Sequence, residues 1–243
     1  PSKNFLPSIG RLTKYAPPTE RDEKFFKLRN DTGVYEGAQI SIYYDPMIAK
    51  LCVWANDRKA AIVGMRSALD DFDISGVETN LPFLSSVMDN SKFEEGNFST
   101  AFIAEEFPDG FDYLIPNYSL SRILSTLAAC MFEITSNRKI QSVLTNSSEL
   151  DDETLNKVAI IGNNEIQLNF YRTDEKMFVF NESSNKKVSV VIDWLPGNTM
   201  VQATIDEVEI KSKVKIERGA FFFNFRGYKA RVHIQRPREA ALS

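Results

Sequence analysis

The sequence predicts an α+β chain. A mixed α/β unit spans residues 1–112, and residues 113–243 form an antiparallel β-barrel of about eight strands around a long central helix. Three observations predict this order. Short strand-like and helix-like stretches alternate up to about Asp112. One long helix then follows, apolar over a wide arc, and from Lys157 onward apolar and polar residues alternate strictly. Strict alternation is what a strand buried on one face requires, and a helix with almost no charged face needs an apolar sleeve. A barrel closed around that helix satisfies both.

Taken in order, Phe25, Phe26 and Leu28 form a short apolar strand that ends at Arg29, with Asp31-Thr32-Gly33 as the turn after it. Ile40 to Tyr44 and Lys50 to Trp54 are β-rich runs joined by Asp45-Pro46, a pair suited to a turn. Asp57 is placed to cap a helix whose apolar stripe is Ile62, Met65, Leu69 and Phe72, and Gly76 ends that element. Thr79 caps a second helix, with Pro82 in its first turn and Leu81, Leu84, Val87 and Met88 as its buried stripe. A third, short helix runs from Ser99 to about Glu106, and Pro108 with Gly110 breaks the chain.

In the second unit, Ser119 is the expected cap of the long helix. Leu120, Ile123, Leu124, Leu127, Cys130, Met131 and Ile134 cover most of its surface, with only Arg122 and Glu133 charged before its end. Gln141 to Asn156 reads as a long polar loop containing an acidic run, Glu149 to Glu153. The alternating series are Ile166 to Phe170, Val188 to Trp194, Val201 to Ile205, Val208 to Ile216, Phe221 to Phe225 and Tyr228 to Ile234. Gly162-Asn163-Asn164, Asn181 to Asn185, Pro196-Gly197-Asn198, Asp206, Gly219 and Gly227 punctuate them as turns.

Composition narrows the function classes. The chain is 43% hydrophobic and 26% charged, the balance of a globular protein, with a formal charge of −4 from 29 basic and 33 acidic residues. That balance implies no general attraction to nucleic acid or anionic lipid. Cys52 and Cys130 both lie in apolar runs and read as free thiols in a reducing compartment. No run reaches the roughly 20 apolar residues that span a bilayer, and the N-terminus lacks a secretory pattern. A start at Pro1 and an end in helix-like sequence read as a piece excised from a longer chain.

The sequence has no Gly-rich phosphate loop, no paired-cysteine metal spacing and no nucleophile adjacent to a histidine. The sole histidine, His233, has outward strand parity. Arg29 is the residue singled out. On spacing alone it reads as a surface ion pair bridging to Asp31 across the turn.

A resemblance changes that reading. Phe5-Leu6-Pro7-Ser8-Ile9-Gly10, Arg29-Asn30-Asp31-Thr32-Gly33-Val34 with Glu36-Gly37, Tyr43-Tyr44-Asp45-Pro46-Met47-Ile48-Ala49-Lys50-Leu51 and Asp57-Arg58 resemble the C-terminal domain of biotin carboxylases. Ser99-Thr100-Ala101-Phe102-Ile103 and Glu106-Phe107-Pro108-Asp109-Gly110-Phe111 are similar to the α subunits of biotin-dependent acyl-CoA carboxylases, the propionyl-CoA branch in particular. Beyond Tyr113 the order of helix, loop and barrel strands resembles the BT domain, which links carboxylase to carboxyltransferase. The resemblance implies a parent ligase that uses ATP, Mg2+ and bicarbonate to carboxylate tethered biotin. It implies as partners a carboxyltransferase β subunit and the biotin carrier domain of the same chain, but no nucleic acid and no membrane.

By the same resemblance Arg29 is expected in or beside the active site. A permanently charged, forked guanidinium there can hold the developing enolate-like charge of biotin. Asp45 and Lys50 match the family pattern as well, or serve only as turn and strand. The nucleotide-grasp portion and the Met-Lys-Met biotin carrier are absent from the sequence, so the fragment alone is expected to be inactive and to hold no bound cofactor. The implied compartment is the bacterial cytoplasm or the mitochondrial matrix. The alternatives are a non-enzymatic interaction scaffold, or the α subunit of an acetyl-CoA or methylcrotonyl-CoA carboxylase.

Overall fold

The computed structural model describes residues 6–43, 45–143, 155–173, 177–181 and 187–237. The chain divides into two compact units, Pro1–Leu114 and Ile115–Ser243. No helix among the described residues is long and apolar enough to cross a membrane.

The first unit runs β1 (Gly10–Arg11), β2 (Lys14–Ala16), β3 (Arg21–Asp22), β4 (Phe26–Thr32), β5 (Gln39–Ile40), β6 (Ala49–Ala55), α1 (Arg58–Asp71), β7 (Asp73–Ser75), α2 (Leu81–Met88), α3 (Ser91–Glu95) and α4 (Phe102–Glu106). Its strands pair antiparallel as three small sheets, β1-β5, β2-β7 and β3-β4-β6. Asp57 caps α1 as expected, its carboxylate accepting from the Ala60 N–H at 2.8 Å. Ile62, Leu69 and the capping Phe72 are buried beneath it.

Several local expectations are corrected. The expected strand from Ile40 is not seen over residues 41–43, and Tyr44 lies outside the described residues: only Gln39–Ile40 pairs, with β1, while Ile42 and Tyr43 are exposed. Asp45-Pro46 therefore joins no hairpin, because the partner of β6 is β4. Strand β4 begins at Phe26 and continues to Thr32, so Arg29 lies at its middle rather than its end. Gly76 does not terminate α1, since β7 intervenes. The glycine serves a close approach instead, because at φ +101° a Cβ there would meet the Arg11 carbonyl oxygen at 2.1 Å. Asn80 rather than Thr79 precedes α2, without a side-chain cap, and the helical residues of α4 begin only at Phe102.

The second unit opens with α5 (Tyr118–Val143), 26 residues and roughly 39 Å of helix. Its cap is Asn117, not Ser119: the Asn117 side-chain oxygen accepts from the Leu120 N–H at 2.9 Å. The strands are β8 (Leu155–Ile161), β9 (Asn164–Arg172), β10 (Met177–Asn181), β11 (Lys187–Asp193), β12 (Met200–Ile205), β13 (Val208–Glu217), β14 (Ala220–Phe225) and β15 (Tyr228–Gln235). Each pairs antiparallel with its sequence neighbour, and β15 pairs with β8 to close the barrel. The polar segment 144–154, which holds the acidic run, lies outside the described residues. The helix and strand bounds take back Gln141 to Val143 and Leu155 to Asn156 from the expected loop.

Leu124, Leu127, Ala128, Ala129, Cys130 and Met131 of α5 are completely buried, against strand residues such as Phe170, Phe178, Val190, Ile192, Phe223 and Val232. Small residues, Ser125, Ala128 and Ala129, keep the helix slender enough to be sleeved. Each large side chain removed from water contributes about 1.5–3 kcal/mol, which is why a helix without a polar face is stable here. Trp194, also buried, donates its indole N–H to the Asn198 carbonyl at 3.1 Å, so the tight Pro196-Gly197 turn satisfies the ring's one polar group. The two-residue turns Asp206-Glu207, Arg218-Gly219 and Arg226-Gly227 all have positive φ at both positions, the geometry whose twist matches paired strands.

Candidate functional site

Strand alternation decides what the sheet β3-β4-β6 presents. On β4, Phe26, Leu28 and Asn30 turn inward, and Lys27, Arg29 and Asp31 turn outward. On β6, Lys50, Cys52 and Trp54 are exposed in the same way. The register sets these directly opposite one another: Lys27 with Trp54, Arg29 with Cys52, and Asp31 with Lys50. Cys52 therefore departs from the apolar burial expected for it.

Arg29 meets Asp31 through Nε at 3.0 Å, with the two side chains 67% and 50% exposed. The ion pair read from spacing is present, though it runs along one strand rather than across a turn. Such an exposed pair contributes at most about 1 kcal/mol. The guanidinium does not line the cavity that Ala49 and Leu51 of β6 help to wall, because residue 29 turns to the outward face of β4.

That cavity has a volume of about 430 Å³. Its wall comes from the chain start at Leu6 and Pro7, from Met47 and Ile48, and from Leu84 and Met88 of α2, with Glu78 as its one ionisable lining residue. With no Lys or Arg in its wall, it offers nothing to hold a phosphate chain. Among the described residues no three His, Cys, Asp or Glu side chains are grouped to hold a metal ion. The residues present thus do not fit ATP or Mg2+ in this cavity, and no chemical step is derived through either.

The other family-pattern residues take structural places. Asp45 accepts from the Met47 N–H at 2.9 Å and so braces the Pro46 turn. Lys50 stands opposite Asp31 on the open face. A feature the sequence reading missed is Thr32, whose hydroxyl donates to the Ile48 carbonyl at 3.1 Å and accepts from the Tyr15 hydroxyl at 2.7 Å. Thr32 thereby ties the end of β4 to β2 and to the loop that forms one cavity wall. Its signal was the polar pair Asp31-Thr32 before Gly33, but the partner Tyr15 is 17 residues away and could be found only in the fold.

His233, on β15 opposite Ala220 and Ile160, has its pKa held below the usual imidazole value, first by burial and then by the positive charge of Arg231. Among the described residues no acidic side chain orients it toward catalysis, and its strand parity accounts for its position.

Comparison with known proteins follows the same division. Residues 1–105 match the biotin carboxylase C-terminal domain, and residues 124–243 match the propionyl-coenzyme A carboxylase BT domain. The propionyl-CoA carboxylase alpha chain of Ruegeria pomeroyi is 40% identical over all of this chain, which covers 38% of that relative. The mitochondrial propionyl-CoA carboxylase alpha chain of Homo sapiens is 41% identical over 54% of this chain and 18% of its own length. The mitochondrial methylcrotonoyl-CoA carboxylase subunit alpha of Dictyostelium discoideum is 34% identical over 74% of this chain and 24% of its own length. Among solved structures, the biotin carboxylase domain of Hydrogenobacter thermophilus 2-oxoglutarate carboxylase aligns with 40% identity, covering 47% of this chain and 24% of that one at a TM-score of 0.42. The chain thus spans less than two fifths of the length of the curated relatives it matches. It belongs to the α-chain family of biotin-dependent acyl-CoA carboxylases, as a biotin carboxylase C-terminal domain followed by a BT domain.

Proposed function

We propose that this chain is the part of a propionyl-CoA carboxylase α subunit that walls the biotin carboxylase site and then fastens the subunit to its carboxyltransferase β partner. The parent reaction uses ATP, Mg2+ and bicarbonate to carboxylate biotin tethered on a carrier domain, and the β chain passes the carboxyl group to the acyl-CoA. The observation that carries the reading is the pair of family matches in one chain, with the BT match falling on the barrel and its central helix. Relatives of this kind include bacterial and mitochondrial chains, and the proposed compartment is accordingly the bacterial cytoplasm or the mitochondrial matrix.

Within this reading the catalytic assignment of Arg29 rests on the family resemblance and on an exposed guanidinium able to meet a segment from elsewhere in the parent. The test is Arg29→Lys in the intact α chain, assayed for bicarbonate-dependent ATP hydrolysis with free biotin. A fall of kcat by tenfold or more with unchanged assembly supports catalysis. Unchanged kcat with altered assembly assigns Arg29 to a contact surface instead.

The fragment alone is expected to show no such hydrolysis. Acyl-CoA preference is tested on the assembled α and β chains with acetyl-, propionyl- and methylcrotonyl-CoA. The Dictyostelium relative favours the methylcrotonyl reading as second choice, and a higher kcat/KM for that substrate would overturn the propionyl assignment.

A further inference from the structure

Strand β4 outruns its partner along one edge. β3 pairs with Lys27 and Leu28, whereas β6 accompanies β4 from Phe26 to Thr32. Among the described residues, the stretch that carries Arg29 and Asp31 therefore has a paired strand on one side alone, and side chains take over on the other. The Asn30 N–H donates to the Glu20 carboxylate at 2.8 Å. The Asn30 side-chain nitrogen donates to the Tyr15 hydroxyl at 3.3 Å, and that hydroxyl donates onward to the Thr32 hydroxyl. Thr32 in turn donates to the Ile48 carbonyl and accepts from the Val34 N–H at 3.3 Å.

Tyr15 stands at the centre of this relay. Its ring meets the buried Phe72 edge-on, with centroids 5.8 Å apart, so the core fixes where the hydroxyl lies. The Asn30 amide depends on that hydroxyl, because its own Oδ1 is buried without a hydrogen-bond partner. Asn30 and Thr32 are the two chain neighbours of Asp31, and holding both fixes the backbone from which Asp31 meets Arg29 at Nε. A guanidinium engaged at Nε keeps its far edge, Nη1 with Nη2, for a second group, and that edge offers two parallel donors to an oxyanion.

We propose that Tyr15 and Thr32 are positioning residues for Arg29, setting the direction of its guanidinium without touching what it binds. The inference rests on the assignment of Arg29 to the biotin carboxylase site made above. An exposed arginine samples many rotamers, whereas stabilising a developing charge requires one direction held in advance. An exposed ion pair on a loose edge would do little to select it. The relay makes that edge rigid, so Asp31 and Arg29 start from fixed points.

The experiment uses the intact α chain, assayed for bicarbonate-dependent ATP hydrolysis with free biotin at a temperature well below the Tm of every variant. Tyr15→Phe keeps the ring against Phe72 and removes only the hydroxyl. Its kcat is expected to fall about fivefold to tenfold, as a small misdirection of a charge-stabilising group does. Thr32→Val should fall comparably, and Thr32→Ser, which keeps the hydroxyl, should fall less than Thr32→Val. A double variant separates positioning from stability: in an Arg29→Lys background, Tyr15→Phe should cost less than about twofold further, since the fork it aims has gone. Should Tyr15→Phe fail to fold, Thr32→Val carries the same comparison. Wild-type kcat in Tyr15→Phe and Thr32→Val, or an equal fall in both backgrounds, overturns the positioning role while leaving Arg29 assigned. An Arg29→Lys chain with wild-type kcat overturns the assignment of Arg29 and this inference with it.

Discussion

The Glu133 carboxylate of the central helix lies 2.8 Å from the Lys157 ammonium of the first barrel strand, and each side chain is only 9% exposed. An apolar helix in an apolar sleeve could slide or turn with little change in burial, and this ion pair defines one depth and one rotation. Removing one partner strands a buried charge. Lys157→Met or Glu133→Gln is therefore expected to cost about 3–5 kcal/mol in denaturant unfolding, while replacing both by apolar residues of similar size comes close to wild type. A single variant within 1 kcal/mol of wild type would show that water reaches the pair.

Gly64 makes a second test because two rules oppose each other there. In a helix interior Gly→Ala usually stabilises by about 0.5–1 kcal/mol. A Cβ at Gly64, however, would lie 2.3 Å from the Phe26 ring and 3.2 Å from Val53, and the ring is itself held under the Arg21 guanidinium. Overpacking should win, so Gly64→Ala is expected to destabilise the first unit by about 1–3 kcal/mol. Phe26→Leu in the same chain should restore part of the loss.

Glu207 offers the opposite sign. Its φ of +70° follows Asp206 at +44°, so the turn between β12 and β13 holds two consecutive non-glycine residues in the left-handed region. Asp206 has a reason to stay, since its carboxylate accepts from the Ser189 N–H at 3.0 Å. Glu207→Gly should raise barrel stability by about 1 kcal/mol, or several degrees in Tm. An unchanged or lower Tm would mean that the glutamate makes a compensating contact.

The two cysteines should separate cleanly under thiol reagents. Cys52 is exposed on the open sheet face, whereas Cys130 is buried in the barrel, where loss of water around the thiolate pushes its pKa well above the usual thiol value. One thiol should react in the native protein and two in denaturant. The sign for stability follows. A folded-state pKa raised above the unfolded value, ordinarily about 8.5, contributes stability that is present below that pH and is lost as the pH climbs beyond it. Cys130→Ala should flatten the alkaline decline while lowering stability at neutral pH through the space it leaves.

His233 runs the other way. Its depressed pKa means the folded state favours the neutral ring, so its contribution is present above the ordinary imidazole value and fades as pH falls below it. Arg231→Gln removes the repelling cation, and the His233 pKa followed by NMR should rise. No movement would assign the depression to burial alone.

What the sequence disclosed and what it withheld divide along physical lines. The barrel was legible because Ile166 to Ile234 alternate and because turn pairs such as Arg218-Gly219 sit between the series. Strand β10 escaped notice because Met177-Phe178-Val179-Phe180 is apolar throughout and shows no period of two. Ser119 and Asn117 are both good caps by type, and only the backbone path chooses Asn117. Arg29 was legible as a charge near Asp31, but the face it occupies depended on knowing that β4 extends to Thr32. The cavity could not be read at all, since Leu6, Ile48 and Leu84 come from three distant parts of the chain.

The central helix precedes every strand that covers it, and the barrel closes only when β15 reaches β8. On a ribosome adding roughly 5–20 residues per second, the fully apolar stretch around Leu127 to Met131 emerges about 5–20 s before the last strand can seal it. During that interval the nascent segment presents to the cell what the finished molecule hides completely. A chaperone that binds apolar helices has its opening there, ahead of the barrel's own closure.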